Sequence, residues 1–151
     1  MQPGPVHAWT MGTYELTTVV AAPPERVFDA WTDLDRMGDW VGGVTRVTDR
    51  VGAIDEAGAR YTVWFGRMSS PTTVIEVERP RHIRTRFGNV ILKGESDATF
   101  TAEGDGTRIR QVIATRGFVS AVFGRLFSAG SYEGSFRGEL EKFRRLVESG
   151  W

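Results

Sequence analysis

Residues 118–148 read FVSAVFGRLFSAGSYEGSFRGELEKFRRLVE, and their apolar positions recur at three and four residues, the spacing of one helix face. At about 100° per residue with Leu140 at the centre, Phe118, Val122, Leu126, Ala129, Phe136, Phe143 and Val147 fall within roughly 60° of it. Charged residues at 139, 141, 142, 144, 145 and 148 take the rest of the last turns. The spacing predicts one long helix with a single apolar stripe, and such a stripe requires a second layer to cover it. Within the stripe one charge stands out: Glu133, about 20° from the centre. Gly130, Gly134 and Gly138 recur every four residues, each costing about 1 kcal/mol relative to alanine. A kink, a helix–helix contact in a homodimer and plain tolerance of glycine all fit that spacing.

The second layer is written in residues 44–116, where the period changes to two. Strands are expected at 44–51, 59–68, 72–79, 81–87, 90–101 and 107–116, separated by Gly52–Gly58, Ser69-Ser70-Pro71, Arg79-Pro80, Gly88-Asn89 and Gly104-Asp105-Gly106. Gly88-Asn89 is a two-residue hairpin signal, pairing Phe87 with Val90 and Thr85 with Leu92. Arg84, Arg86, Lys93, Glu95, Asp97, Arg108 and Arg110 then share one face, a wet one. His82 joins it, near Glu95, while Trp64 and Met68 also point outward. The inward set is Tyr61, Val63, Phe65, Ile75, Val77, Ile83, Thr85, Phe87, Leu92, Ala98, Phe100, Ile109, Gln111 and Ile113.

Upstream, TYELTTVVA at 13–21 alternates as a strand, and Ala22-Pro23-Pro24-Glu25 opens a helix with proline in its first turn. Asp33 and Asp35 suit the cap of a second short helix, Leu34–Trp40, stopped by Gly42-Gly43. Residues 1–12 read as a tail, with Met11 a second candidate for the start, and 149–151 as another. The expected architecture is a single α+β domain over 13–148. It is a seven-stranded curved antiparallel sheet wrapped around a long C-terminal helix, with two short helices after the first strand.

Bulk composition removes several functions. With 19 basic and 19 acidic residues the chain carries no net charge, which argues against nucleic acid as a partner. Apolar runs are short, so no membrane insertion is expected, and the N-terminus lacks the pattern of a signal peptide. There is no cysteine and there are only two histidines, His7 and His82, too few for a His-built metal centre. No metal and no cofactor is expected, and a cytoplasmic, bacterial-type protein fits the absence of thiols.

The inward set is rich in aromatic and aliphatic side chains with few polar ones, the composition of a ligand pocket. Its ligand-binding candidates are Tyr61, Phe65, Phe87, Gln111, Leu126, Glu133 and Phe136. Glu133 is the candidate catalytic residue, as a desolvated carboxylate. Its alternative is a plain ion pair with Arg137 or Arg46 beside water. Gln111 and Tyr61 serve either a ligand or a neighbouring side chain. Phe123 and Phe127 either gate the pocket with Trp40 or pack the domain's end.

The succession of Ala22-Pro23-Pro24-Glu25-Arg26-Val27-Phe28, Asp33 to Trp40, Gly58-Ala59-Arg60-Tyr61, Glu78-Arg79-Pro80 and Gly106-Thr107-Arg108 resembles the START-like, or polyketide cyclase/dehydrase and lipid-transport, superfamily. The resemblance covers about residues 13–148. It implies a helix-grip fold with a cavity between sheet and final helix. Members include carriers, aromatase/cyclases, quinone-binding proteins and chaperone activators, so the fold alone does not select a function. The expected partner is a small hydrophobic molecule that is polyketide-, lipid- or quinone-like. Two alternatives stay open at this point: an aromatase/cyclase-type enzyme using Glu133 as general acid/base, and a protein-interaction module centred on Trp64.

Overall fold

Alternation between residues 44 and 116 produces six of the strands, and the N-terminal segment supplies the seventh. The computed structural model describes residues 10–89, 92–117 and 129–151. Its strands are β1 (Thr10–Val20), β2 (Arg46–Val51), β3 (Arg60–Phe65), β4 (Met68–Glu78), β5 (His82–Gly88), β6 (Leu92–Glu103) and β7 (Gly106–Gly117). They form one seven-stranded antiparallel sheet in the order β1-β7-β6-β5-β4-β3-β2. Between β1 and β2 lie α1 (Pro24–Trp31) and a 3-10 helix (Leu34–Asp39), and α2 (Ala129–Glu148) packs against β1. This is the helix-grip arrangement of the α+β class.

Local chemistry explains the connections. Pro24 stands in the first turn of α1, where its missing N–H costs nothing, and Asp33 accepts the Asp35 N–H to cap the 3-10 helix. The end of α2 is tied to the start of α1: the Arg26 guanidinium donates to the Val147 carbonyl at 2.6 Å, and the Ala21 N–H to Glu148 at 2.8 Å. Buried Thr107 donates to the Ala22 carbonyl at 2.7 Å, joining the same corner to β7.

Four expectations are corrected by the strand register. The β3–β4 turn falls at Gly66-Arg67, with Gly66 at φ +66°, and not at Ser69-Ser70-Pro71. Met68 therefore stands opposite Phe65, on the inner face at its rim, and not outward beside Trp64. A bulge between Val74 and Glu76 then makes fully buried Val74 the inward residue in place of Ile75. Between β5 and β6 the partners of Phe87 and Thr85 are Gly94 and Ser96, four residues from the expected Val90 and Leu92. A shift of even length leaves each side chain on its expected face. Gly94 explains the choice, because a Cβ there would lie 2.7 Å from Phe87 Cζ and 2.5 Å from the Ala114 carbonyl oxygen. The Phe87 ring occupies the space that a side chain on its partner would need.

The outer face is charged as expected, with different pairs. Arg84 and Arg86 both bind Glu95, at 2.5 and 3.3 Å, while His82 pairs with Asp97 at 2.7 Å and not with Glu95. The β7 arginines turn elsewhere: Arg110 to Glu15 at 2.8 Å and Arg108 to Glu103 at 2.9 Å. Trp64 does point outward, but its indole N–H donates to Thr48 at 2.7 Å and Arg46 stacks 4.4 Å from its ring.

The first part of the expected long helix, 118–128, lies outside the described residues. Within α2, a Cβ built at Gly134 or Gly138 meets nothing within 4 Å, so no close approach among the described residues requires these glycines. The C-terminal half of α2 buries Leu140, Phe143 and Val147. Around Phe143 sit Trp31, Trp40 and Trp151 at ring-centroid distances of 5.1, 4.8 and 6.3 Å, and Trp31 also meets Phe100 at 5.5 Å. Trp151, at a terminus read as a tail, is stacked by Arg36 at 5.1 Å and donates to Asp39 at 3.3 Å.

Two stability predictions follow. Phe143→Ala is expected to cost about 3–5 kcal/mol in urea unfolding, because the ring is fully buried among others that cannot all collapse inward. Gly94→Ala is expected to cost about 1–3 kcal/mol through overpacking, and Phe87→Leu in the same chain should restore part of it.

Candidate functional site

Beneath the N-terminal half of α2, where Phe136 meets Tyr14 of β1, lies a cavity of about 640 Å³. Its floor is the inner sheet face: Tyr61, Val63 and Phe65 from β3, Ser70 and Thr72 from β4, Ile83, Thr85 and Phe87 from β5, Ser96 from β6, and Gln111 and Ile113 from β7. Tyr14 closes the β1 side, its ring 5.4 Å from Phe136 of the roof. Trp31, Leu34, Met37, Trp40, Val41 and Gly42 form the far wall. A smaller recess of about 260 Å³ shares Thr32, Leu34, Ile54 and Tyr61 with this cavity and reaches the Arg50–Asp35 ion pair at 2.7 Å.

Five of the residues anticipated for the site meet here: Tyr61, Phe65, Phe87, Gln111 and Phe136. Leu126 lies outside the described residues, as do Phe123 and Phe127. Glu133 is not in the cavity. It is exposed and accepts the Arg137 guanidinium at 2.9 Å, the ion-pair alternative of its sequence reading. The reason is the orientation of the stripe, which centres near fully buried Phe143 and not on Leu140. Rotating the centre by about 60° carries Glu133 to the edge and brings the residue four before Phe143 inside.

That residue is Glu139, which lines the cavity half-buried. It lies three residues after Phe136 and four before Phe143, so it shares their face. The spacing was visible, but a charge among charges read as helix surface. Its Oε2 accepts the Gly42 N–H at 2.8 Å. Burial pushes its carboxyl above the ordinary range, and the Gly42 hydrogen bond only partly opposes that.

Other polar groups are spread along the floor. Gln111 donates to Ser96 Oγ at 3.2 Å, and Thr72 donates to the Ser70 carbonyl at 3.3 Å. Ser70 belongs to the Ser69-Ser70-Pro71 stretch that reads as a turn. Burial alone raises the Tyr61 phenol far above its usual range, so it is neutral and a donor. At the wall, the Trp40 indole N–H is buried without a hydrogen-bond partner among the described residues. No group of three or more metal-binding side chains occurs among the described residues, and no described helix is long and apolar enough to cross a membrane.

The raised carboxyl has a measurable consequence. A carboxyl that binds its proton more tightly folded than unfolded loses its contribution to the fold as pH rises from the unfolded pKa through the folded one. Glu139→Gln is therefore expected to raise Tm at neutral pH, with the gain shrinking as pH falls through the acidic range. A thermal melt series across pH checks this, and an equal gain at every pH would contradict it.

With fold and cavity described, the chain can be set beside known proteins. No curated protein matches it. Among solved structures, it aligns with protein MLL2253 from Mesorhizobium loti at 16% identity and a TM-score of 0.70, covering 91% of this chain and 98% of that one. Protein CV1439 from Chromobacterium violaceum aligns at 18% and 0.66, over 90% and 96% of the two chains. A truncated norcoclaurine synthase from Thalictrum flavum aligns at 12% and 0.65, over 92% and 94%. Likeness at such identities concerns the fold. The profile of one family, described as polyketide cyclase/dehydrase and lipid transport, matches residues 11–148, nearly the whole chain. The chain thus belongs to the polyketide cyclase/dehydrase and lipid-transport family.

Proposed function

We propose that this protein binds one small hydrophobic molecule, polyketide-, lipid- or quinone-like, between sheet and helix. One observation carries the reading: a cavity of about 640 Å³ walled mainly by aromatic and aliphatic side chains. Ligand pockets run from about 300 to 1,000 Å³ and combine apolar walls with a few oriented polar groups. Gln111, Tyr61, Ser96 and Glu139 supply such groups. Family membership supports the same reading.

A second reading, acid–base catalysis, draws on Glu139 and not on Glu133. A carboxyl held protonated more readily than usual suits a general acid. The two readings separate on one variant. A carrier with Glu139→Gln keeps its neutral ligands and has no turnover to lose; an enzyme keeps binding and loses turnover.

Nile red, a neutral apolar dye, should bind saturably at one site and perturb the emission of Trp31 and Trp40, which line the cavity. Phe87→Ala and Phe136→Ala are each expected to weaken it roughly tenfold, about 1.4 kcal/mol of lost apolar contact. Absence of saturable binding, together with no ligand co-purifying in native mass spectrometry from the original host, would overturn the binding reading.

A further inference from the structure

The charge inside the cavity is uneven in a way that sorts ligands. Among the described lining residues there is no Arg, Lys or His, and Glu139 is the one carboxylate. The basic residues of α2 are engaged elsewhere or exposed. Arg137 pairs with Glu133, Arg144 with Glu141 and Glu148, and Arg145 with Glu141. Lys142 is exposed and stands outside salt-bridge distance of Glu139; so does every other described basic group. One oxygen of Glu139 is held by the Gly42 N–H, and no described residue binds the other. The desolvation of this half-buried carboxylate is thus only partly offset by the Gly42 N–H, which leaves it able to take a further donor from a ligand in the cavity.

The surroundings suit a cation. Phe136 precedes Glu139 by one helical turn and lines the same cavity. The glycine loop that supplies the N–H touches Phe65, since a Cβ at Gly43 would lie 3.5 Å from its Cδ1. Trp40 stands two residues before Gly42 on the same wall. Aromatic rings beside a carboxylate attract an ammonium through their negative faces and bury its carbon chain. A ligand carboxylate brought to the same place would meet a like charge with no described cation to offset it.

We propose that the cavity selects hydrophobic amines, seating the ammonium against Glu139 Oε1, and discriminates against hydrophobic acids. The proposal rests on the ligand-binding reading above and adds the sign of the ligand's polar end.

The test uses the full-length protein and three probes with one tail: decylamine, decanol and decanoate. Their affinities are measured at neutral pH, below micelle-forming concentration, by displacement of Nile red. The expected order is amine, alcohol, acid, with the amine about tenfold tighter than the alcohol and the acid at least tenfold weaker. In Glu139→Gln the amine should lose its advantage over decanol. This ranking in the unaltered protein needs no variant to fold, and Glu139→Ala provides a second removal of the charge. Equal binding of amine and acid, tighter binding of the acid, or an amine preference surviving in both variants would overturn the proposal and leave the binding reading standing. Failure of all three probes and of Nile red would overturn both.

Discussion

The packing of aromatic rings on Phe143 is the constraint on which the rest depends. A domain of this size with an interior void forfeits the contacts that would otherwise fill it, so its cohesion must be concentrated elsewhere. Here it lies at one end. Trp31, Trp40 and Trp151 surround Phe143, Phe100 backs Trp31, and Leu140 and Val147 complete the buried side of α2. Held at that end, the helix roofs the cavity at the other, where Phe136 meets Tyr14 of β1. The ties from Arg26 and Ala21 to the last turn of α2 reinforce the same end. Hollow and solid halves are thus two consequences of one anchored helix.

The sequence revealed faces better than partners. Alternation in β5, β6 and β7 assigned the inner and outer sides correctly, because burial acts on every second residue whatever the strand is paired with. The pairing itself depended on Gly94 making room for Phe87, a contact between residues seven apart that no period records. At β3 and β4 the difference lies in Ser70, which lines the cavity within β4, while two serines before a proline look like a turn. Glu139 was hidden for the opposite reason. It sits at the right helical spacing for the interior, yet is surrounded in sequence by charges that do face water.

Replacing Glu133 by Glu139 changes more than a residue number. Glu133 is exposed and has an arginine partner within its own helix. Glu139 has a backbone N–H and no salt bridge among the described residues. A carboxylate in the second situation gives the cavity an electrical sign, whereas one in the first contributes to helix surface. In the proposed binding mode, the hydrophobic walls take the ligand's body and this single group sets which end of it goes where.

Trp31 and Trp40 belong at once to the wall of the cavity and to the ring cluster that anchors the roof. An occupant therefore rests directly on the parts that hold the protein together. A molecule favoured by the folded chain and ignored by the unfolded one shifts the folding equilibrium in proportion to its free concentration. The supply of that molecule in the cell would then govern how much of the chain persists folded, making abundance itself a readout of loading.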